Sequence, residues 1–184
     1  MRSPALRLAV CAALLAFAVD VRAQNQGAGE TPEHLLKAGV VYNFAKLVEW
    51  PAAVAPKGSP IVIAVLGNDD FAAALGRIVG GKKVDDRTFE VRRLKSKDLK
   101  ECGCRMLFVA ASESARTDEV IQLQNAASVL TISEAPDFAK RGGIVALTLE
   151  DKVRFAVNVD AATQASLTIS SRVLSLATIV HTGR

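Results

Sequence analysis

Pro60-Ile61-Val62-Ile63-Ala64-Val65-Leu66-Gly67, followed by Asn68-Asp69-Asp70, is the stretch whose reading decides the fold. A short, uninterrupted apolar run rich in β-branched residues fits a strand covered on both faces, which is the habit of parallel sheets. Gly67 closes the run. Asn68, Asp69 and Asp70 then supply the side-chain acceptors and negative charge that a helix start requires. The predicted helix occupies 71–79 and stops at Gly80-Gly81. Strand, turn and capped helix together make the opening of an α/β unit.

Working outward, the same grammar repeats. Residues 88–94 alternate Phe89 and Val91 with charged neighbours, as a half-exposed strand does. Residues 105–111 read as a second buried strand, with a helix starting at Ser112 and running over 113–125. Residues 128–132 form another strand. The pattern then changes: 143–149 and 153–159 are strand-like runs joined by Glu150-Asp151-Lys152, which makes an antiparallel hairpin. Upstream, Thr31-Pro32 starts a helix, with a hydroxyl cap followed by proline at its first position. Its apolar stripe is Leu36, Val40, Phe44 and Leu47, widened by Val41, Ala45 and Val48, and it ends before Pro51. The chain closes on a helix capped by Ser170 or Ser171 with Val173, Leu174, Ala177 and Val180 buried. The expected fold class is α/β, with a mixed, mostly parallel sheet, helices on both faces and a C-terminal antiparallel hairpin.

The N-terminus reads as an export signal. Arg2 and Arg7 precede an uncharged apolar run over 8–19, and Val21-Arg22-Ala23 offers a cleavage point after Ala23. The run is too short for a membrane span, which takes about 20 apolar residues. Cys11 does not fit a lipoprotein signal, because Val10 is bulky where a small residue is needed. The organisation is therefore a leader at 1–23, a polar lead-in at 24–30 and a single domain at 31–184. Export to an oxidising compartment is the expectation. The leader carries three bases (Arg2, Arg7, Arg22) and one acid (Asp20), so the net charge falls from +4 to +2 on cleavage. Such a balance is no electrostatic footprint for nucleic acid. The local run Arg92-Arg93-Leu94-Lys95-Ser96-Lys97 reads as a solvated strand end.

Few residues suggest chemistry. Gly76 to Lys82 mimics a phosphate-binding loop, but Lys83 stands where a hydroxyl is required, and here a helix leads into a strand rather than the reverse. His34 and His181 lack partners at metal-ligand spacing. The acid pairs Asp69-Asp70 and Glu150-Asp151 suit a helix start and a hairpin turn. No catalytic residue, metal site or cofactor is expected. Cys102 and Cys104 remain after the leader. An oxidising compartment permits their pairing, but a C-x-C ring strains an extended backbone. Buried thiols, free thiols and a bridge between chains are the alternatives.

Two surfaces are candidates. In open α/β sheets ligands bind beyond the carboxyl ends of the parallel strands. Those ends carry Asn68, Asp69, Ser112, Glu113 and Ser133, which would line a shallow ligand pocket feeding a membrane sensor. Tyr42, Phe44 and Trp50 at the first helix, with Val173 and Leu176 at the closing one, form the candidate partner interface.

Six segments in order resemble the YfiR family of exported bacterial proteins. They are 37–51 (KAGVVYNFAKLVEWP), 61–67 (IVIAVLG), 81–84 with 89–91, 104–110 (CRMLFVA), 138–144 with 153–158, and 167–174 with 176–177. The resemblance implies a periplasmic repressor rather than an enzyme. Such proteins bind the sensor part of an inner-membrane diguanylate cyclase and thereby lower cyclic di-GMP and biofilm formation. An outer-membrane OmpA-like lipoprotein can sequester them, and members tend to form homodimers. Many relatives sit beside other membrane partners. The best-known members also use more cysteines than the single C-x-C pair found here.

Overall fold

The computed structural model describes residues 31–150 and 152–182. The leader and lead-in readings lie outside these residues, as does Asp151 of the hairpin turn. Helix α1 (Pro32–Leu47) runs into the two-residue strand β1 (Val48–Glu49). Strand β2 (Ile61–Leu66) is buried at every position and leads into α2 (Asp69–Val79). The Asn68 side chain caps α2 by accepting from Phe71 N at 2.9 Å. Strand β3 (Lys83–Val84) turns through Asp85 and Asp86, both at positive φ, into β4 (Arg87–Leu94). A 3-10 turn precedes β5 (Met106–Val109). After it come α3 (Thr117–Ala127), β6 (Leu130–Ser133), β7 (Val145–Leu149) and β8 (Val153–Asn158). The chain then forms α4 (Val159–Gln164), β9 (Thr168–Ile169), α5 (Ser171–Leu174) and β10 (Thr178–Val180).

The main sheet has the order β10-β8-β7-β6-β5-β2-β4-β3. Strands β4, β2, β5, β6 and β7 are mutually parallel, and β8 returns antiparallel to β7. This is the expected mixed α/β sheet with its C-terminal hairpin. Alternation along the strands feeds two cores. Ile61, Ile63, Val65, Met106, Phe108 and Ile132 pack on one face with Phe44 of α1 and with Phe71 and Leu75 of α2. Val62, Ala64, Leu107 and Val109 pack on the other with Val120 of α3 and Phe138.

Four local readings change. The buried face of α1 is Lys37, Ala38, Val41, Phe44 and Ala45, while Leu36 is exposed. The stripe is rotated toward Lys37, whose ammonium group finds acid partners in Glu33 on the same helix and Glu134 just after β6. The third helix begins at Thr117 rather than at Ser112, after a 3-10 turn over Ala111–Arg116 broken by non-helical Glu113. Val159 opens α4 instead of ending β8, since Asn158 turns inward and caps Ala161 N. The closing helix is one turn, and Val180 belongs to strand β10, which pairs parallel to β8. The β-branched run Thr178-Ile179-Val180 finds a free sheet edge there, which outweighs a marginal short helix.

Candidate functional site

The carboxyl ends of β2, β5 and β6 carry the polar residues expected there, and four of the five, all but Asp69, are already engaged. Gly67 has φ +84, and a Cβ on it would come within 2.6 Å of Glu113 Cγ and 2.9 Å of Ser112 Oγ. Only glycine allows this close approach. Ser112 Oγ donates to Gly67 O at 3.4 Å, and Ser96 Oγ donates to Glu113 Oε2 at 3.1 Å. Arg116 Nε is 3.2 Å from the same carboxylate. Asn68 is committed to the cap of α2, with its Nδ2 at 3.5 Å from His34 Nε2. Ser133 is sealed inside: its Oγ donates to Val109 O and accepts from Ala135 N. Asp69 is exposed on the first turn of α2. The structure thus brings Asn68, Ser112 and Glu113 around Gly67 and leaves Ser133 and Asp69 outside that group.

Sequence reasoning missed Lys37, which is buried on α1 and forms ion pairs with Glu33 and with Glu134 after β6. The Glu33–Lys37 spacing of four residues was the available signal. Burial alone would pull the Lys37 ammonium down, but its hydrogen bonds to Glu134 and Glu33 outweigh burial and hold its pKa above the ordinary lysine range. The hydrogen bond from Lys37 holds Glu33 below the usual carboxylate range. A depressed carboxyl contributes stability above its unfolded pKa and loses it as pH falls through the folded value. A raised ammonium contributes below its unfolded pKa and loses it in strong alkali. The cluster therefore predicts a melting temperature that is flat around neutrality and falls below about pH 4.5. Lys37→Met should flatten the acid limb in a thermal-melt series from pH 7 to 3. An unchanged limb would remove this cluster as its source.

Among the described residues, no group of three His, Cys, Asp or Glu side chains could hold a metal ion. Cys102 and Cys104 form a disulfide with Cα atoms 5.2 Å apart. The backbone is not extended there: Cys102 is helical and Gly103 has φ +55. That turn brings the two residues into bonding range, and both sulfurs lie within the core that α3 covers.

The five candidate interface residues separate. Phe44 and Val173 are buried core side chains, so the surface reading fails for them; Phe44 packs edge-on against Phe155 at 5.3 Å. Tyr42 is half-buried against Phe89, with the Lys46 and Lys82 ammonium groups 4.8 and 4.5 Å from its ring centroid. Trp50 is half-buried and donates from Nε1 to Arg105 O at 3.2 Å, with the Arg87 guanidinium 5.9 Å from the ring centroid. Leu176 is 77 % exposed, the most exposed large apolar side chain described. A feature absent from the sequence reading is an open groove of about 400 Å³ between α4, β9 and α5, lined by residues including Ala162, Leu167, Ile169 and Leu174.

A family model described as YfiR/HmsC-like matches residues 34–178, from the first turn of α1 to the start of β10. The chain belongs to this family. The YfiR/HmsC-like match contains Lys37, Trp50, the disulfide and the β3 edge of the sheet. No curated protein matches the chain. Among solved structures, a conserved domain protein from Vibrio cholerae O1 biovar El Tor is similar with a TM-score of 0.54 at 15 % identity. The likeness covers 77 % of this chain and 59 % of that one, so the chain spans well under two thirds of that relative, and the similarity is one of fold. The ABC domain in complex with L-Trp from Streptococcus pneumonia gives a TM-score of 0.47 at 12 % identity, covering 70 % of this chain and 58 % of the other.

Proposed function

We propose that this protein is a periplasmic regulator that binds the sensor region of an inner-membrane signalling protein, a diguanylate cyclase, and represses it. Membership of the YfiR/HmsC-like family over residues 34–178 is the observation that carries the reading, and at family level it supports a regulator in cyclic di-GMP signalling rather than an enzyme. The export-type leader agrees with a periplasmic site of action. A homodimer and an OmpA-like outer-membrane lipoprotein that relieves repression complete the scheme.

Binding by contact needs exposed anchors, and Leu176 is the most exposed large apolar side chain among the described residues. The test is co-purification of residues 24–184 with the periplasmic part of the membrane protein encoded beside it, on a sizing column with light scattering. A stable complex is expected, and Leu176→Ser should weaken it at least fivefold while leaving the melting temperature within about 2 °C, as exposed substitutions do. No complex at tens of micromolar, with both proteins folded, overturns the reading.

The groove between α4 and α5 favours a second reading, a module that binds a small molecule and feeds a membrane sensor. A ligand preferring the native state would raise the melting temperature in a screen.

A further inference from the structure

One edge of the main sheet stands open over most of its length. Strand β3 pairs with β4 only at Arg87 and Thr88. From Glu90 to Leu94, β4 has β2 on its inner side and no described strand on its outer side. The register with β2 runs one to one from Phe89 to Leu94, without a bulge, and no proline interrupts it. The turn before β4 fixes which backbone groups face outward. Asp85 and Asp86, both at positive φ, join the paired residues Val84 and Arg87. Residues that close such a two-residue turn exchange both of their backbone hydrogen bonds. The N–H and C=O of Arg87 therefore point away from β2, and alternation turns those of Val91 and Arg93 the same way. No backbone partner meets them there among the described residues.

Natural sheets blunt a free edge with bulges, prolines or charge. Only charge is present here, and on one face it has one sign. Phe89 and Val91 pack against the core under α1 and α2, and Arg93 shares their side of the strand. Tyr42 lies 5.6 Å from Phe89 between ring centroids, and it carries the Lys46 and Lys82 ammonium groups described above. Arg93, Lys46 and Lys82 are exposed and form no ion pair among the described residues. On the opposite face Glu90 is spent on Arg92. Asp85 and Asp86 sit in the turn, at the end of the edge that β3 already covers. Two copies of this edge would bring like charges together, whereas an acidic strand would be matched. We propose that the outer edge of β4 takes up an extended, acidic segment of a protein partner as an added strand. Its backbone bonds to Val91 and Arg93, and its carboxylates lie beside Arg93 and the two lysines. The inference rests on the regulator reading for the partner being a protein, and on the edge for its conformation and charge.

The probe is a short soluble peptide alternating glutamate and valine, with an alternating lysine–valine peptide as comparison. Amide hydrogen exchange, read residue by residue by NMR, gives the signature. In the free protein the Val91 and Arg93 amides should exchange fast and those of Glu90 and Arg92, bonded to β2, slowly. The acidic peptide should protect Val91 and Arg93 and leave Glu90 and Arg92 unchanged. Arg93→Pro removes an outward N–H without touching the ladder to β2, and should weaken binding about tenfold. Arg93→Gln removes the charge alone and should weaken it about threefold. If Arg93→Pro fails to fold, Arg93→Glu takes its place and should switch preference to the basic peptide. The proposal is overturned by slow exchange of Val91 and Arg93 in the free protein, by no binding of the acidic peptide, or by binding without their protection, which is attraction by charge alone. A complex with the membrane protein that is indifferent to the Arg93 variants also overturns it and leaves the regulator standing. Absence of any complex counts against the regulator, while the peptide titration still decides the edge.

Discussion

Asn158→Ala is expected to lower the unfolding free energy by about 3 kcal/mol, because it strands several buried polar groups at once. Asn158 is fully buried at the end of β8. Its Oδ1 accepts from Ala161 N at 2.9 Å and so caps α4. Its Nδ2 donates to Ala139 O at 2.7 Å and to Thr182 Oγ1 at 2.8 Å. One side chain therefore joins the hairpin, the loop after β6, α4 and the C-terminal segment. Alanine removes all of these bonds without admitting water. Asn158→Asp should be at least as damaging at neutral pH, since it turns the donor toward Ala139 O into a second acceptor and buries a charge. Urea unfolding of the three proteins measures the effect. A loss below about 1 kcal/mol for the alanine variant would mean that the segments are held by packing rather than by this amide.

Gly143→Ala is the second large effect, expected to cost about 3 kcal/mol through overpacking. Gly143 is buried just before β7, and its N–H donates to Phe138 O at 3.0 Å. An added Cβ would fall on ring atoms Cδ1, Cε1 and Cζ of Phe138. Phe138 is itself fully buried in the α3-side core, so the ring cannot swing into solvent. The interaction has a specific signature. Phe138→Leu vacates part of the ring volume, so Gly143→Ala should be milder in that background than in the wild type. A double-mutant cycle by thermal or urea unfolding reads the coupling. Strict additivity would show that the backbone at Gly143 yields instead.

Much of this molecule was legible in its sequence for a simple reason. Local signals and tertiary demands agree over β2, α2 and the β7–β8 hairpin. A six-residue apolar run before an Asn cap has one economical outcome, and Asn68 does cap α2. Disagreement begins where a residue's fate depends on distant partners. Lys37 looks like a surface lysine until β6 delivers Glu134 to it, 97 positions later. Phe44 and Val173 read equally well as interface and as core residues from the sequence, and packing puts both in the core. The Thr178–Val180 segment continues a helical stripe in isolation, but becomes a strand once β8 offers its edge.

The sequence by itself determined the α/β class, a mixed and mostly parallel sheet, the Asn68 cap of α2, and the family resemblance. These rest on periodicity and on residues within a few positions of one another. Only the tertiary structure decided which polar ends satisfy one another, how Gly103 folds the C-x-C pair into a disulfide, and that Trp50 reaches the Arg105 carbonyl beside the Arg87 guanidinium. The first and last of these depend on register between strands that are far apart in the chain, which is set by the packing of both sheet faces, while the disulfide follows from the turn at Gly103.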